Sequence, residues 1–166
     1  MLRIFRDSDI PDLCRLVRVY EDSIYADSLL IERTVPENIR ILQAQQDFYN
    51  YILFFLKDNN CFIAVWTDKD SYLSALRIEP YCDGLLLSAL ETLPLERGKG
   101  YAKKLIGAVV EYLKGSGYKK VYSHIDKNNK KSLAAHIDCG FRKQLDYAVF
   151  IDGSVSQRSC TLSVDI

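Results

Sequence analysis

The order of apolar runs predicts an α/β fold of the mixed, α+β kind: a central, mostly antiparallel sheet with one parallel strand pair, flanked by helices. Three observations carry that prediction. Runs 61–67, 71–80 and 84–93 are strand-like and are separated by Asp68-Lys69-Asp70 and Cys82-Asp83-Gly84, both turn-forming, which reads as an antiparallel meander. Within the third run, Leu85-Leu86-Leu87-Ser88-Ala89-Leu90 is apolar at consecutive positions rather than alternating. That is the pattern of a strand covered on both faces, in the middle of a sheet. Residues 90–125 then read strand, helix, strand, with the crossover length that makes two strands parallel.

Each element has its own local cause. Leu2-Arg3-Ile4-Phe5 alternates as a short strand, and Asp9-Ile10-Pro11-Asp12 opens a helix with an acidic cap and a proline in the first turn, burying Leu13, Leu16, Val17 and Tyr20. Thr34-Val35-Pro36-Glu37 reads as a capping box that starts a long helix running to about Lys57, stopped by Asp58-Asn59-Asn60. That helix carries one apolar stripe of Ile39, Leu42, Tyr49, Ile52, Leu53 and Leu56 and a second of Ile41, Phe48, Tyr51 and Phe55. Three explanations stay open: cover on both sides within the monomer, a subunit contact in a homodimer, or an aromatic pocket wall. Gly98-Lys99-Gly100 opens a helix with apolar Ala102, Leu105, Ile106, Val109, Val110 and Leu113, closed by Gly115-Ser116-Gly117. Residues 118–125 are the next strand, 129–139 a short helix capped by Gly140, and 141–151 with 156–164 a closing hairpin across Asp152-Gly153-Ser154. With no internal repeat or linker, residues 1–166 are expected to form a single domain.

Composition limits the function classes. The chain is 48% hydrophobic and 27% charged with 8 Gly and 4 Pro, which excludes collagen-like and largely disordered proteins. At this length about 70% of the unfolded surface can be buried, enough for a real core. The apolar run 51–56 is far too short to span a bilayer, and the N-terminus lacks the features of a secretory signal, so a cytoplasmic protein with no membrane partner is expected. Cys14, Cys61, Cys82, Cys139 and Cys160 form an odd set without a C-x-x-C pair; they signal neither a disulfide framework nor a metal site and read as small buried apolar residues. Formal net charge is zero, which argues against a nucleic-acid partner, but between Arg97 and Lys131 there are 10 Lys/Arg against 2 acids, Glu111 and Asp126. Either a polyanion belongs near that segment or it is a solvated basic face.

The strongest local signal lies within that segment. Leu93-Pro94-Leu95-Glu96-Arg97-Gly98-Lys99-Gly100-Tyr101-Ala102 is a turn that leaves a buried strand and feeds a helix. Glycines let the backbone approach a ligand closely, and free N–H groups at a helix start, aided by its dipole, bind anions. Phosphate is the natural occupant. The loop is not G-x-x-x-x-G-K-[ST], and Lys103 stands where the third glycine of G-x-G-x-x-G would have to be, which weakens the nucleoside triphosphate and dinucleotide readings.

Here the sequence resembles the GNAT superfamily of acetyl-CoA-dependent N-acetyltransferases, whose phosphate loop [RQ]-x-x-G-x-[GA] fits Arg97-Gly98-Lys99-Gly100-Tyr101-Ala102. The next motif of that family, a strand ending in an apolar residue, then x-x-x-N-x-x-[SA], a short helix and G-F, fits Ile125, Asn129, Ser132 and Gly140-Phe141 in register. The resemblance is close over residues 84–150 and elsewhere rests on element order. It implies a sheet whose parallel pair is splayed, with acetyl-CoA as cosubstrate: pyrophosphate on the N–H groups of Gly98, Lys99, Gly100, Tyr101 and Ala102, Arg97 and Lys99 nearby, and pantetheine along Thr92 and Leu93, where a backbone N–H holds the thioester carbonyl. Asn129 and Ser132 belong to the same cofactor site, though Asn129 also reads as a plain helix cap.

Direct acetyl transfer to an amine needs an unprotonated nucleophile and a proton for the departing thiolate. The family's usual acid is a Tyr seven residues after the motif Asn; here that position is His136, an imidazole able to donate near neutrality. His124 stands where the ribosomal-protein N-terminal acetyltransferases carry a Glu base. Glu91, at the end of the buried strand, is the rival base, working through water with a pKa raised by burial. Each has a plain alternative: a packed helix histidine, a surface strand residue and an ion-paired carboxylate. Residues 1–96 carry 16 acids against 9 bases, and Tyr20, Tyr25, Tyr49, Trp66 and Tyr81 are candidates to line a cleft for a cationic acceptor. The sequence thus reads as an N-acetyltransferase acting on a primary amine of a small molecule, or on a peptide or protein N-terminus. A catalytically silent acyl-CoA-binding module and a polyanion-binding domain are the competing readings.

Overall fold

The computed structural model describes residues 1–166. Its strands are β1 (Leu2–Phe5), β2 (Phe62–Asp68), β3 (Ser71–Tyr81), β4 (Gly84–Thr92), β5 (Lys120–Asp126), β6 (Arg142–Leu145), β7 (Ala148–Val149), β8 (Val155–Ser156) and β9 (Ser159–Asp165). Seven form one sheet in the order β1-β2-β3-β4-β5-β9-β6, and β7 and β8 pair separately. Every neighbour in the large sheet is antiparallel except β4 and β5, and β4 lies at its centre, as its unbroken apolar run predicts. The closing hairpin is interrupted: β6 pairs with β9 at the sheet edge, and the segment between them folds back as the small β7–β8 ladder.

Helices cover both faces: α1 (Leu13–Val19), α2 (Glu21–Ser28) and α3 (Glu37–Leu56) on one, α4 (Tyr101–Leu113) and α5 (Lys130–Asp138) on the other side of the chain's crossover. Alternation along the strands sorts the two cores. Ala64, Leu76, Ile78, Leu85 and Leu87 pack against Leu105, Ile106 and Val109 of α4. Ile63, Val65, Tyr72 and Ala75 pack against Leu16 and Val19 of α1, Ile24 of α2 and Ile52 and Phe55 of α3.

Several expectations change. Asp12 caps α1 by accepting from Arg15 N–H, with Pro11 before the cap rather than in the first turn. Residues 21–28 form a helix of their own, for which the sequence offered no apolar stripe. The capping box at Thr34 does not form: the cap position falls two residues later on Pro36, whose side chain has no oxygen to accept from the first helical N–H groups. Helix α3 is not covered on both sides. Ile52 and Leu56 are buried, while Leu42, Leu53 and Phe54 are exposed on the outer face. Of the cysteines, Cys61 and Cys160 are buried, but Cys14 and Cys82 are exposed, and all five are free. No helix is long and apolar enough to cross a membrane.

The parallel pair is short. β4 and β5 are in register only at Leu85–Val121, Leu86–Tyr122 and Leu87–Ser123; beyond that point each strand pairs only with its outer neighbour. At the closed end a Cβ on Gly84 would lie 2.1 Å from the Lys120 carbonyl oxygen, so only glycine permits the approach. At the open end β4 bulges: the pairing with β3 gains a residue between Ser88 and Glu91, and Ala89 adopts φ +48°. The Tyr20 hydroxyl donates to the Ala89 carbonyl at 2.8 Å, tying the α1–α2 junction to that bulge.

Candidate active site

The separation of β4 from β5 opens the sheet just ahead of the N-terminus of α4. Gly98 and Gly100 both sit at φ +81°, a conformation glycine adopts without strain, and Gly100 is the residue from which α4 begins. Arg97 N–H bonds back to Pro94, and Lys104 N–H begins the helical ladder to Gly100, so the N–H groups of residues 98–103 have no partner within the protein. A Cβ on either glycine would meet nothing within 4 Å. The loop therefore presents successive free donors to an open cleft of about 640 Å³, which suits an anion with several oxygens.

Thr92, Arg97, Gly98, Gly100, Tyr101, Ala102, Asn129 and Ser132 line this cleft, joined by Leu90, Glu91, Lys103 and Lys131 and by Ala134 and Ala135 of α5. The small residues on α5 escaped sequence reasoning because alanine carries no chemical signal. Arg97 is fixed by Asp22 at 2.5 Å and by the Thr92 carbonyl at 3.1 Å. Lys99 pairs with Glu96 at 2.9 Å and, like Leu93, is not part of the lining. The Leu93 N–H donates to the Leu73 carbonyl at 2.9 Å, so it is not free to hold a thioester carbonyl. Asn129 caps α5, its Oδ1 accepting from Ser132 N–H at 3.0 Å.

The three candidate acid–base residues fall in different settings. His136 is 2% exposed, with its ring edge toward Phe141, and its Nδ1 lies 2.8 Å from the Ser132 carbonyl. A carbonyl only accepts, so Nδ1 carries the proton and Nε2 is left unpartnered at the narrow gap between the splayed strands. Burial pushes its pKa down, opposed by the bond to Ser132. His124 also borders the gap, but Tyr81 and Phe150 meet its ring edge-on at 5.0 and 5.4 Å, and both nitrogens are buried without partners. Burial lowers its pKa as well. Glu91 accepts a short hydrogen bond from the Ser23 hydroxyl, and its pKa is raised, chiefly by burial and against the Ser23 bond and the charge of Arg97.

Glu91 has a second address. On the α1–α3 face a separate cavity of about 470 Å³ is walled by Tyr20, Phe48 and Tyr51, with Ser23, Asp27, Asp47, Arg77 and again Glu91. Of the five aromatics expected to line an acceptor cleft, only Tyr20 does. Tyr81 instead packs on His124, and Trp66 packs against the core under α4. Phe48 and Tyr51 supply the aromatic wall from α3.

Comparison with known proteins decides the family. Residues 24–141, well over half the chain, match the profile of the Acetyltransferase (GNAT) family. The chain belongs to that family. No curated protein matches this GNAT chain in sequence. Among solved structures, PaiA N-acetyltransferase from Thermoplasma acidophilum in complex with coenzyme A is similar with TM-score 0.66 and 12% identity, over 100% of this chain and 99% of the other. A spermidine N-acetyltransferase SpeG chimera from Vibrio cholerae and hSSAT has TM-score 0.65 and 18% identity, over 99% and 94%. The ribosomal-protein-S18-alanine N-acetyltransferase from Escherichia coli has TM-score 0.63 and 13% identity, over 100% and 94%. At these identities the likeness establishes the GNAT fold, and the chemistry has to be argued from the residues.

Proposed function

We propose that this GNAT protein transfers acetyl from acetyl-CoA to a primary amine of a small molecule, directly, with both substrates bound together. One observation carries the reading: Glu91 stands in the wall between a cleft of free backbone donors and an aromatic, acid-bearing cavity. The N–H groups of residues 98–103, with Lys103, Lys131 and Arg97, would hold the pyrophosphate, and Thr92, Asn129 and Ser132 the arm leading toward the strand gap. Bound there, acetyl-CoA supplies an activated acetyl thioester.

The chain's own residues supply proton handling. Glu91, its carboxyl pKa raised by burial, takes the ammonium proton through water, and Ser23 orients its carboxylate. Tyr20, Phe48 and Tyr51 exclude water and favour a cation, while Asp27 and Asp47 at the rim draw it in. His136 delivers a proton from Nε2 to the leaving sulfur in its imidazolium form, which still donates from Nδ1 to Ser132. His124, sealed between aromatic rings, is left as a packing residue.

Two measurements test this. Saturating acetyl-CoA should raise the thermal midpoint, ligand at 100 times Kd adding about 2.7 kcal/mol, while equal ATP does not. Free thiol should then appear only when a primary amine is added. Equal shifts with both nucleotides, or no thiol with any amine across a broad panel, would remove the proposal.

A further inference from the structure

Resting on the reading of the 470 Å³ cavity as the acceptor site, we infer that the amine it takes also bears a carboxylate, and that Arg77 binds it. Arg77 lies on β3, one strand from Glu91, and points to the same face: Ala75, two residues before it, is paired with Glu91 across the bulge. Its guanidinium carbon sits 4.7 Å from the Tyr51 ring centroid and 5.8 Å from that of Phe55. Its Nε is buried without a partner, and the side chain makes no hydrogen bond and no ion pair.

Arg40 Nε is likewise buried without a partner, but Arg77 alone of the two lines the cavity. Arg15 is paired with Asp12, and Arg97 with Asp22. Arg77 shares the cavity wall with Asp27, Asp47 and Glu91 yet forms no ion pair with any of them; its guanidinium carbon stays beside the Tyr51 ring and its Nε has no acceptor. A buried Nε–H without an acceptor is costly to desolvate, and a carboxylate matches the paired donors of the guanidinium edge that carries it. A purely cationic acceptor would meet Arg77 as a like charge in the cavity. An amine with a carboxylate a few bonds away places its ammonium at Glu91 and its carboxylate at Arg77, leaving its apolar part against Tyr20 and Phe48. The substrate class is therefore an apolar amino acid or an amino-acid-like amine.

The test compares matched pairs, phenylalanine with phenethylamine and leucine with isoamylamine, by calorimetric titration into the CoA-saturated protein and by initial rates with acetyl-CoA. The carboxylate-bearing member of each pair should bind about 10- to 100-fold more tightly, as expected for charge-assisted hydrogen bonds to one fork. Arg77→Gln should abolish that difference by weakening only the carboxylate-bearing member. Arg77→Lys should recover part of it, and acetyl-CoA affinity should stay unchanged in both. The inference is overturned if the simple amines or a diamine such as putrescine bind as well, if neither member of either pair binds, or if Arg77→Gln weakens both members alike. A failure of the underlying acetyltransferase reading looks different: acetyl-CoA itself then neither binds nor yields free thiol.

Discussion

Glu91 and His136 put opposite demands on pH. In the proposed mechanism transfer needs Glu91 ionised, above a pKa that burial raises, and His136 charged, below a pKa that burial lowers. The two limbs approach each other, so kcat should peak in a narrow, mildly acidic band between the ordinary carboxylate and histidine values; a rate that keeps rising through about pH 8 would remove His136 from the proton-donor role. Glu91→Gln should lower kcat at least about 100-fold while acetyl-CoA affinity holds, within the range general bases contribute. The same change has a stability signature. A carboxyl raised on folding stabilises below its unfolded pKa and loses that contribution as pH rises through the folded value, so Glu91→Gln should gain in melting temperature relative to wild type as pH rises above about 4.3, the ordinary Glu value. The buried imidazoles behave in the reverse sense. Their contribution is full above about pH 6.5 and is lost as pH falls toward the lowered folded values, so a His124→Leu, His136→Leu double variant should flatten the acid-side fall in melting temperature.

At the scale of elements, the parallel pair and the loop after it do most to place the site, and both were legible because glycine and an unbroken leucine run leave local marks. Gly98-Lys99-Gly100 announced a helix start with free backbone donors, and the Leu85–Leu90 stretch announced a central strand. The bulge at Ala89 was not legible, since an alanine at φ +48° looks like any strand residue until Tyr20 is seen bonded to its carbonyl. The 470 Å³ cavity was half legible: two apolar stripes on α3 left room for an aromatic wall, but only the folded register shows that Phe48 and Tyr51 share it with Arg77 and Glu91. Two glycine substitutions separate binding from folding. Gly100→Ala adds a Cβ into open space at φ +81°, so it should cost about 1 kcal/mol of stability while weakening acetyl-CoA binding more than tenfold, read by titration and melting. Gly84→Ala drives a Cβ into the Lys120 carbonyl and should abolish soluble folded protein, read by expression and circular dichroism.

Across the whole molecule, charge is divided along the chain. Acids predominate in the first 96 residues and bases around the α4 N-terminus, so net charge zero concealed the two attractions a transferase of this kind needs. The outer face of α3, with Leu42 and Phe54 exposed, borders neither cavity. Replacing Leu42 and Phe54 with Ser should therefore raise the solubility limit and leave kcat/KM unaltered; a fall in activity would mean that this face takes part in catalysis. The bond from Tyr20 to Ala89 has a reach beyond its own neighbourhood. The ring that bounds the proposed amine chamber is riveted to the residue at which the sheet begins to flare, so on that proposal an acceptor too broad for the chamber pulls on the cleft proposed for the cosubstrate. The expected outcome is selection by size at the opening of the sheet: loosening the rivet with Tyr20→Phe should widen the range of amines accepted at the expense of acetyl-CoA affinity.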